Sequence, residues 1–314
     1  MNDHTKIPGG FVELAGPFDR GFVKHGLAGF AGKVLRMADT GSPEISIVIP
    51  TRDAYGKGFF PTLVGQIRAQ SVWGRCELLA VKGDTRQGRA INTGVAVSRG
   101  RYILTMDDDM TLSGDTVVET LFSAMEAHPD IGMAGGGNVI PEDAPEFVKK
   151  AMAQIPRRAT PAVSEITDSD MAEHGLLMMR KEVFTAVGGE NEVMPRGLDP
   201  YLRREFRQKG YRVVVVPGAY YSHLMVDSLK KLTRQFFSNG RQAAYCSRFF
   251  PQWIIELAPD HGSKQPGKKP LAFRAARFPL RMARAALAGK WIYLAAEASY
   301  GLGFLWGYAT AKKG

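Results

Sequence analysis

Cysteine is scarce in this chain. Only Cys76 and Cys246 occur among 314 residues, far apart and with no Cys-x-x-Cys spacing. A disulfide scaffold and a thiolate metal site are thereby excluded, and with no secretory pattern ahead of them both residues are expected to be reduced thiols facing a cytosol-like compartment. Acidic residues run short from Lys230 onward, where fifteen Lys or Arg stand against Glu256, Asp260 and Glu297. The formal charge of +10 therefore belongs to the last quarter of the chain. This argues against a nucleic-acid binder as a whole and for a tail that meets an anionic surface. Long apolar runs are missing too: only 291–311, with Glu297 as its one charge, has the length of a bilayer crossing. What remains, 45% hydrophobic and 23% charged residues, is enough for a proper core and excludes disorder as the main state.

The most informative feature present is Asp107-Asp108-Asp109 at the end of the apolar segment Tyr102-Ile103-Leu104-Thr105-Met106. Clustered carboxylates repel one another, so a buried strand that stops on three of them calls for a positive partner, and a hard divalent cation is the usual one. The surrounding pattern places this triplet. Glu44–Pro50 reads as a buried strand, a helix follows through Leu63, Ile67 and Gln70, Glu77–Val81 is a second apolar run, Arg89–Ser98 a second helix, and 101–106 a third strand. That alternation predicts parallel strands with right-handed crossovers, whose ligands bind at the strands' carboxyl ends, where Pro50-Thr51-Arg52-Asp53 and the aspartates fall. Further along, the pattern predicts a helix over 114–127, strands over 131–140 and 176–180, a short helix over 181–187 and a helix from Asp199 to Gly210. Strands over 211–216 and 219–223 and a long basic helix over 226–249 complete it. A short amphipathic helix is expected around 22–37.

Several ordered motifs carry a resemblance. Ile47-Val48-Ile49-Pro50-Thr51-Arg52, the stretch from Gly88-Arg89-Ala90-Ile91-Asn92 to Tyr102-Ile103, and the aspartates resemble the nucleotide-sugar half of the family-2 inverting glycosyltransferases. Arg180–Phe184, Gly188-Gly189, Leu198-Asp199, Gly210-Tyr211-Arg212 and Val216-Pro217 to His223 are similar to their acceptor half. The resemblance covers roughly 44–245. It implies a GT-A type α/β fold, with a mixed, mainly parallel sheet flanked by helices. The implied division is a donor half over 44–113 and an acceptor half over 114–250, after an extension over 1–43 and before basic amphipathic helices over 251–314. It also implies Mn²⁺ or Mg²⁺ held by Asp107, Asp109 and His223, with Asp199 as the base. Donor contacts are expected from Pro50, Thr51, Arg52, Asp84, Arg89, Asn92, Asp107 and Asp108, and from Arg234 or Arg241. The physical logic is independent of the family: a diphosphate leaves only when its developing charge is neutralised, and an attacking hydroxyl needs a positioned base.

Taken singly, each residue has a plainer reading. Asp199 before Pro200 suits a helix N-cap, His223 suits a satisfied core histidine, and the basic helix suits a solvated face. Three departures from the family pattern are visible. Lys82-Gly83-Asp84 stands where the base of the nucleotide is usually held, Leu198-Asp199 replaces a Glu-Asp pair, and the Gln-x-x-Arg-Trp motif of processive synthases is absent. The expectation is therefore one sugar, from a UDP-sugar by preference, transferred to a glycan or lipid-linked acceptor. A sugar nucleotidyltransferase and a non-catalytic paralogue are the alternatives; the first needs a glycine-rich triphosphate loop that Pro50–Asp53 does not supply. Arg274, Arg277, Arg281 and Arg284 stack on one helical face, and 291–311 reads as a monotopic anchor in preference to a span or a helix packed on the protein or on a second copy. Residence on the cytoplasmic face of a membrane is expected, with no nucleic-acid partner and a possible homo-oligomer.

Overall fold

Buried aliphatic runs, which cannot be left facing water, set the centre of the molecule. A computed structural model describes residues 10–30, 32–38, 40–52, 59–255, 257, 261–262 and 271–313. Asp53, Lys264, Lys268, Lys269 and the side chain of Arg274 lie outside what is described. In chain order the elements are β1 (Val12–Leu14), β2 (Lys33–Ala38), β3 (Ile45–Thr51), α1 (Phe59–Arg68), β4 (Cys76–Lys82), α2 (Gln87–Val97), β5 (Tyr102–Met106), β6 (Thr111–Leu112), α3 (Val117–Ala127) and β7 (Ile131–Asn138). They continue with α4 (Glu146–Gln154), β8 (Thr167–Asp168), β9 (Leu176–Arg180), α5 (Lys181–Ala186), α6 (Leu198–Gln208), β10 (Arg212–Ser222), α7 (Leu229–Phe249), α8 (Leu271–Leu287) and α9 (Trp291–Thr310).

The strands form one mixed sheet in the order β1-β2-β4-β3-β5-β9-β7-β10-β6, with β8 paired to β10. β3 is parallel to both β4 and β5, as the alternation of strands and helices requires, and β7 is parallel to β10; β9 runs antiparallel between β5 and β7. Both faces are covered. Leu63 and Ile67 of α1 and Val118 and Leu121 of α3 pack on one side, while Ile91 of α2, Phe184 of α5 and Leu202 and Phe206 of α6 pack on the other. This is the helix-flanked α/β arrangement of the GT-A type.

Two local expectations are corrected. The helix expected around 22–37 does not form: residues 21–30 are turns and bends, and Lys33–Ala38 is strand β2 against the free side of β4. Gly26, Gly29 and Gly32 weaken a helix there, and Gly29 is held at φ +71°, while β4 without β2 would be an unpaired edge. Pro217 does not end a strand. β10 runs through it, its register against β7 shifting between Val215 and Tyr220 with Gly218 at φ +81°, which is a bulge around a residue that has no N–H to pair.

The C-terminal helices pack on the protein. α9 lies in backbone contact with α7: a Cβ at Gly303 would sit 2.1 Å from the carbonyl oxygen of Phe237, and one at Gly240 would sit 2.1 Å from that of Tyr300. Glycine in a helix costs about 1 kcal/mol relative to alanine, and here that cost permits the close approach. Gln154, at the end of α4, accepts from the N–H groups of Ile292 (3.0 Å) and Tyr293 (3.3 Å), satisfying two free donors of α9's first turn. Among the described residues no helix is long and apolar enough to cross a membrane.

Candidate active site

The cleft opens where β3 and β5 part. β3 pairs with β4 as far as Thr51 but with β5 only as far as Val48, and Pro50, which has no N–H to donate, lies in the released part. Thr51 reaches across the gap, its hydroxyl donating to Asp108 Oδ2 at 2.6 Å. Asp107 and Asp109 turn instead toward His223, which follows the end of β10. Its Nδ1 lies 3.5 Å from Asp107 Oδ2 and its Nε2 lies 3.2 Å from Asp109 Oδ1. Gln87, at the start of α2, donates to Asp107 at 3.3 Å. Asn138 at the end of β7 holds the histidine in place: its Oδ1 accepts the His223 N–H at 2.9 Å and its Nδ2 donates to the Arg158 carbonyl at 2.9 Å. The loop after α4 is thereby tied to His223.

The electrostatics of this side are short of positive charge. Burial pushes the Asp107 carboxyl above its ordinary range, the charges of Asp109 and Asp199 add to the push, and His223 opposes them. Burial also opposes the charged form of His223, yet the bond to Asp109 and the fields of both aspartates outweigh it and raise its pKa to about 8. Two carboxylates and one imidazole around a cation-deficient point make a donor set that suits a hard divalent ion. Among the described residues no three such side chains already form a closed cation cage. His223 instead turns one ring nitrogen to each carboxylate, and only one nitrogen of a ring can bind a given ion. The residues present fit a divalent metal once His223 releases one of the two carboxylates.

Asp199 forms the opposite wall. Gly197, at φ +85°, occupies the N-cap of α6, so Asp199 sits in the first helical turn and the capping role expected of it is not its own. Its Oδ1 accepts the backbone N–H of His174 at 2.7 Å. The His174 ring is buried and held at both nitrogens, by Thr105 Oγ1 of β5 at 2.9 Å and by the fully buried Glu190 at 2.7 Å. Burial opposes a charge on this ring, but the carboxylates of Glu190 and Asp199 prevail and raise its pKa to about 9. The imidazolium, 4.0 Å from Asp199 Oδ1, and Arg203 one turn along α6 in turn overcome the burial of Asp199 and hold its carboxyl below the ordinary range. Asp199 is an ionised carboxylate at neutral pH, close enough to Asp107 for each to feel the other's charge.

Thr51, Asp107, Asp108, Asp109, His223 and Asp199 are thus brought together around one cleft. Of the other residues expected to contact a donor, Asp84, Arg89 and Asn92 are engaged within the protein and three arginines are exposed. Asp84 is fully buried in a two-pronged pair with Arg89, at 2.7 and 3.0 Å, and accepts the Arg86 N–H at 2.8 Å, so both side chains serve to fix the start of α2. Asn92 is also fully buried; its amide donates to Glu190 and Glu192 and its oxygen accepts the Glu190 N–H, which leaves nothing to face a donor. Arg52 is exposed just beyond β3, and Arg234 and Arg241 are exposed on α7, the backbone of Arg241 lying against Gly307 of α9.

The sequence pattern did not single out His174, Glu190, Arg203 or Arg158. Arg158 is half-buried beside His223, stacks 5.7 Å from the Phe236 ring and has no ion pair among the described residues; desolvation and the nearby Arg196 lower its pKa. The strained left-handed turn at Arg157, φ +62°, sends that neighbour away toward Glu173, to which it donates at 2.8 Å. One signal was available: a lone His174 just ahead of the apolar run Leu176–Met179, with Glu190 and Glu192 just beyond a glycine pair.

No curated protein sequence matches the chain significantly. Solved structures resemble it at low identity. They include the mannosyltransferase PcManGT from Pyrobaculum calidifontis in complex with GDP-Man and Mn²⁺, at 14% identity over 88% of this chain and 78% of that one, TM-score 0.46. They also include S. aureus TarS 1-349 at 10% identity over 64% of each chain, TM-score 0.42, and the same segment with UDP-GlcNAc at 11% identity over 64% and 65%, TM-score 0.44. Residues 63–188 match the model of Glycosyl transferase family 2. That stretch runs from α1 through α5 and contains the three aspartates, and over it the chain is similar to the family-2 glycosyltransferases.

Proposed function

We propose that the protein transfers one sugar from a nucleoside diphosphate sugar, a UDP-sugar by preference, to a hydroxyl of a glycan or lipid-linked acceptor, with inversion at the anomeric carbon. The observation that carries this reading is the pairing of two opposed carboxylate environments across one cleft: a cation-deficient Asp107–Asp109–His223 group and an ionised, well-supported Asp199.

Asp107, Asp109 and His223 would hold Mn²⁺ or Mg²⁺. A divalent ion bound there supplies positive charge against the leaving diphosphate. Thr51 orients Asp108 toward the donor side of the cleft. Asp199 accepts the proton of the acceptor hydroxyl as its oxygen bonds to the anomeric carbon, and the bond from that carbon to the diphosphate oxygen breaks with its electron pair leaving on the diphosphate. One base and one displacement invert the centre. His174 keeps Asp199 aimed and ionised through its N–H and its charge, and Arg203 adds charge from the buried side.

The test begins with thermal stabilisation of the full chain by UDP-, GDP- and dTDP-sugars with Mn²⁺ or Mg²⁺. A donor that stabilises is then used to follow release of nucleoside diphosphate. The expected result is stabilisation by at least one donor only when the metal is present. If no donor stabilises the protein with either metal, the reading fails.

A further inference from the structure

α9 has two unlike faces. Its inner face, with Tyr293, Ala296, Gly303 and Gly307, is buried against α7 and its neighbours. Its outer face presents Trp291, Leu302, Leu305 and Trp306, which are 67, 63, 69 and 58% exposed. No charge interrupts that face, because Glu297, the single charged residue of the helix, turns inward to pair with Arg281 of α8. Lys290 precedes the helix, and Lys312 and Lys313 follow it.

α8 adds a second outward stripe. Phe273, Arg277, Leu280, Arg284 and Leu287 recur at spacings of four and three and share one helical face, all of them exposed. The Arg277 guanidinium lies 5.5 Å from the centre of the Phe273 ring, as that shared face requires. Of the arginines expected to stack on one helical face, Arg277 and Arg284 lie beside the large apolar side chains and Arg281 pairs with Glu297 of α9.

We propose that these outer faces of α8 and α9 dock the protein on an anionic lipid surface, lying in its plane. Alternating arginine and large apolar side chains suit a boundary where guanidinium heads reach lipid phosphates while the apolar groups enter the acyl edge. Tryptophans near both ends of α9 suit the same boundary. The basic stripe makes a second copy the wrong occupant, since a self-complementary contact through this face would set Arg277 and Arg284 near their own copies. Docking also brings the bilayer close to the cleft. The first turn of α9 is capped by Gln154, and the loop that follows reaches His223 through Arg158 and Asn138. On the sugar-transfer reading, on which this last step rests, the acceptor is a lipid-linked hydroxyl presented at the membrane surface.

The test is co-sedimentation of the full chain with vesicles of phosphatidylcholine alone or mixed with phosphatidylglycerol. Binding to the anionic vesicles that weakens with salt is expected, and Arg277→Gln with Arg284→Gln should reduce partitioning on the order of tenfold or more. Leu302→Ser with Trp306→Ser should do the same with an unchanged thermal melt, because the replaced side chains are exposed. Absence of binding, equal binding to both vesicle types unmoved by the arginine pair, or a dimer in solution lost in the serine pair would each overturn the docking. Donor-induced stabilisation, measured without vesicles, tests the transfer reading separately, so failure of one is distinguishable from failure of the other.

Discussion

The two sides of the cleft hold carboxylates in opposite electrostatic company. On the donor side Asp107 and Asp109 share one partly exposed histidine, and Asp107 is pushed toward its neutral form. On the acceptor side Asp199 has a buried imidazolium, a buried guanidinium and a backbone N–H directed at it, and is held ionised. Burial is common to both, so the difference lies in the counter-charges the fold supplies. A site whose positive charge is built in needs nothing further to work as a base. On the transfer reading, a site whose carboxylates outnumber their partners would be completed from outside, by a divalent ion together with the diphosphate it neutralises.

The largest effect should come from removing the built-in side. Asp199→Asn keeps the shape and the contact with the His174 N–H but cannot take a proton. Transfer is expected to fall by about 10²–10⁴-fold, with metal-dependent donor stabilisation retained. Retained transfer would break the assignment of the base. Next in size is Glu190→Gln, which leaves a buried histidine facing an amide. Breaking a buried pair from one side costs about 3–5 kcal/mol, and a chemical denaturation curve reads it directly. Asp109→Asn acts on the externally completed side. It should leave the stability of the metal-free protein near that of the parent and abolish the stabilisation by donor plus Mn²⁺, worth about 2.7 kcal/mol at a hundredfold excess over Kd. If the comparison is right, the acceptor-side substitution at Glu190 damages folding and the donor-side one damages ligand binding.

The pH dependence sharpens the same contrast. The folded-state pKa of His174, about 9, lies above the ordinary 6.5. Its contribution to stability is therefore fully present below pH 6.5 and is lost as pH rises through 9. Unfolding free energy should decline across that window in the parent, and His174→Gln should flatten the decline while lowering stability at pH 6. A parent curve that rises between pH 6.5 and 9 would show that the ring is neutral in the fold.

What the sequence made legible follows from physical range. β3, β4, β5 and the helices between them are spelled by local apolar period, and the aspartates stand out because three adjacent like charges need a reason. Asp199 and His223 were legible only through ordered motifs. His174, Glu190 and Arg203 act through burial and through contacts such as Thr105 to His174 that join residues far apart in the chain, and no local window contains that information. The helix expected around 22–37 failed for a related reason: the free side of β4 made the tertiary demand, and three glycines removed the resistance. Gly303 and Gly307 are visible in 291–311 as small residues, but only the packed backbone of α7 explains what they are for.

The smallest expected effect tests whether the donor side is completed by ligand alone. Arg158 carries a half-buried cation next to His223 without an ion pair among the described residues, held there by Asn138 and by the turn at Arg157. Its charge works against that of His223, so it does not stabilise the free site. A cation that the free protein leaves unpaired becomes favourable when an anion arrives, and a diphosphate brought in at Asp107–Asp109 would be within its field. Arg158→Gln should therefore weaken donor binding roughly three- to tenfold, a loss of one partly exposed charge-assisted contact, while leaving the stability of the free protein unchanged or slightly raised. Titration of the donor against parent and variant gives the ratio. An Arg158→Gln protein that binds donor as tightly as the parent would place this cation with the acceptor or with the fold, and the donor side would then depend on the metal for all of its added positive charge.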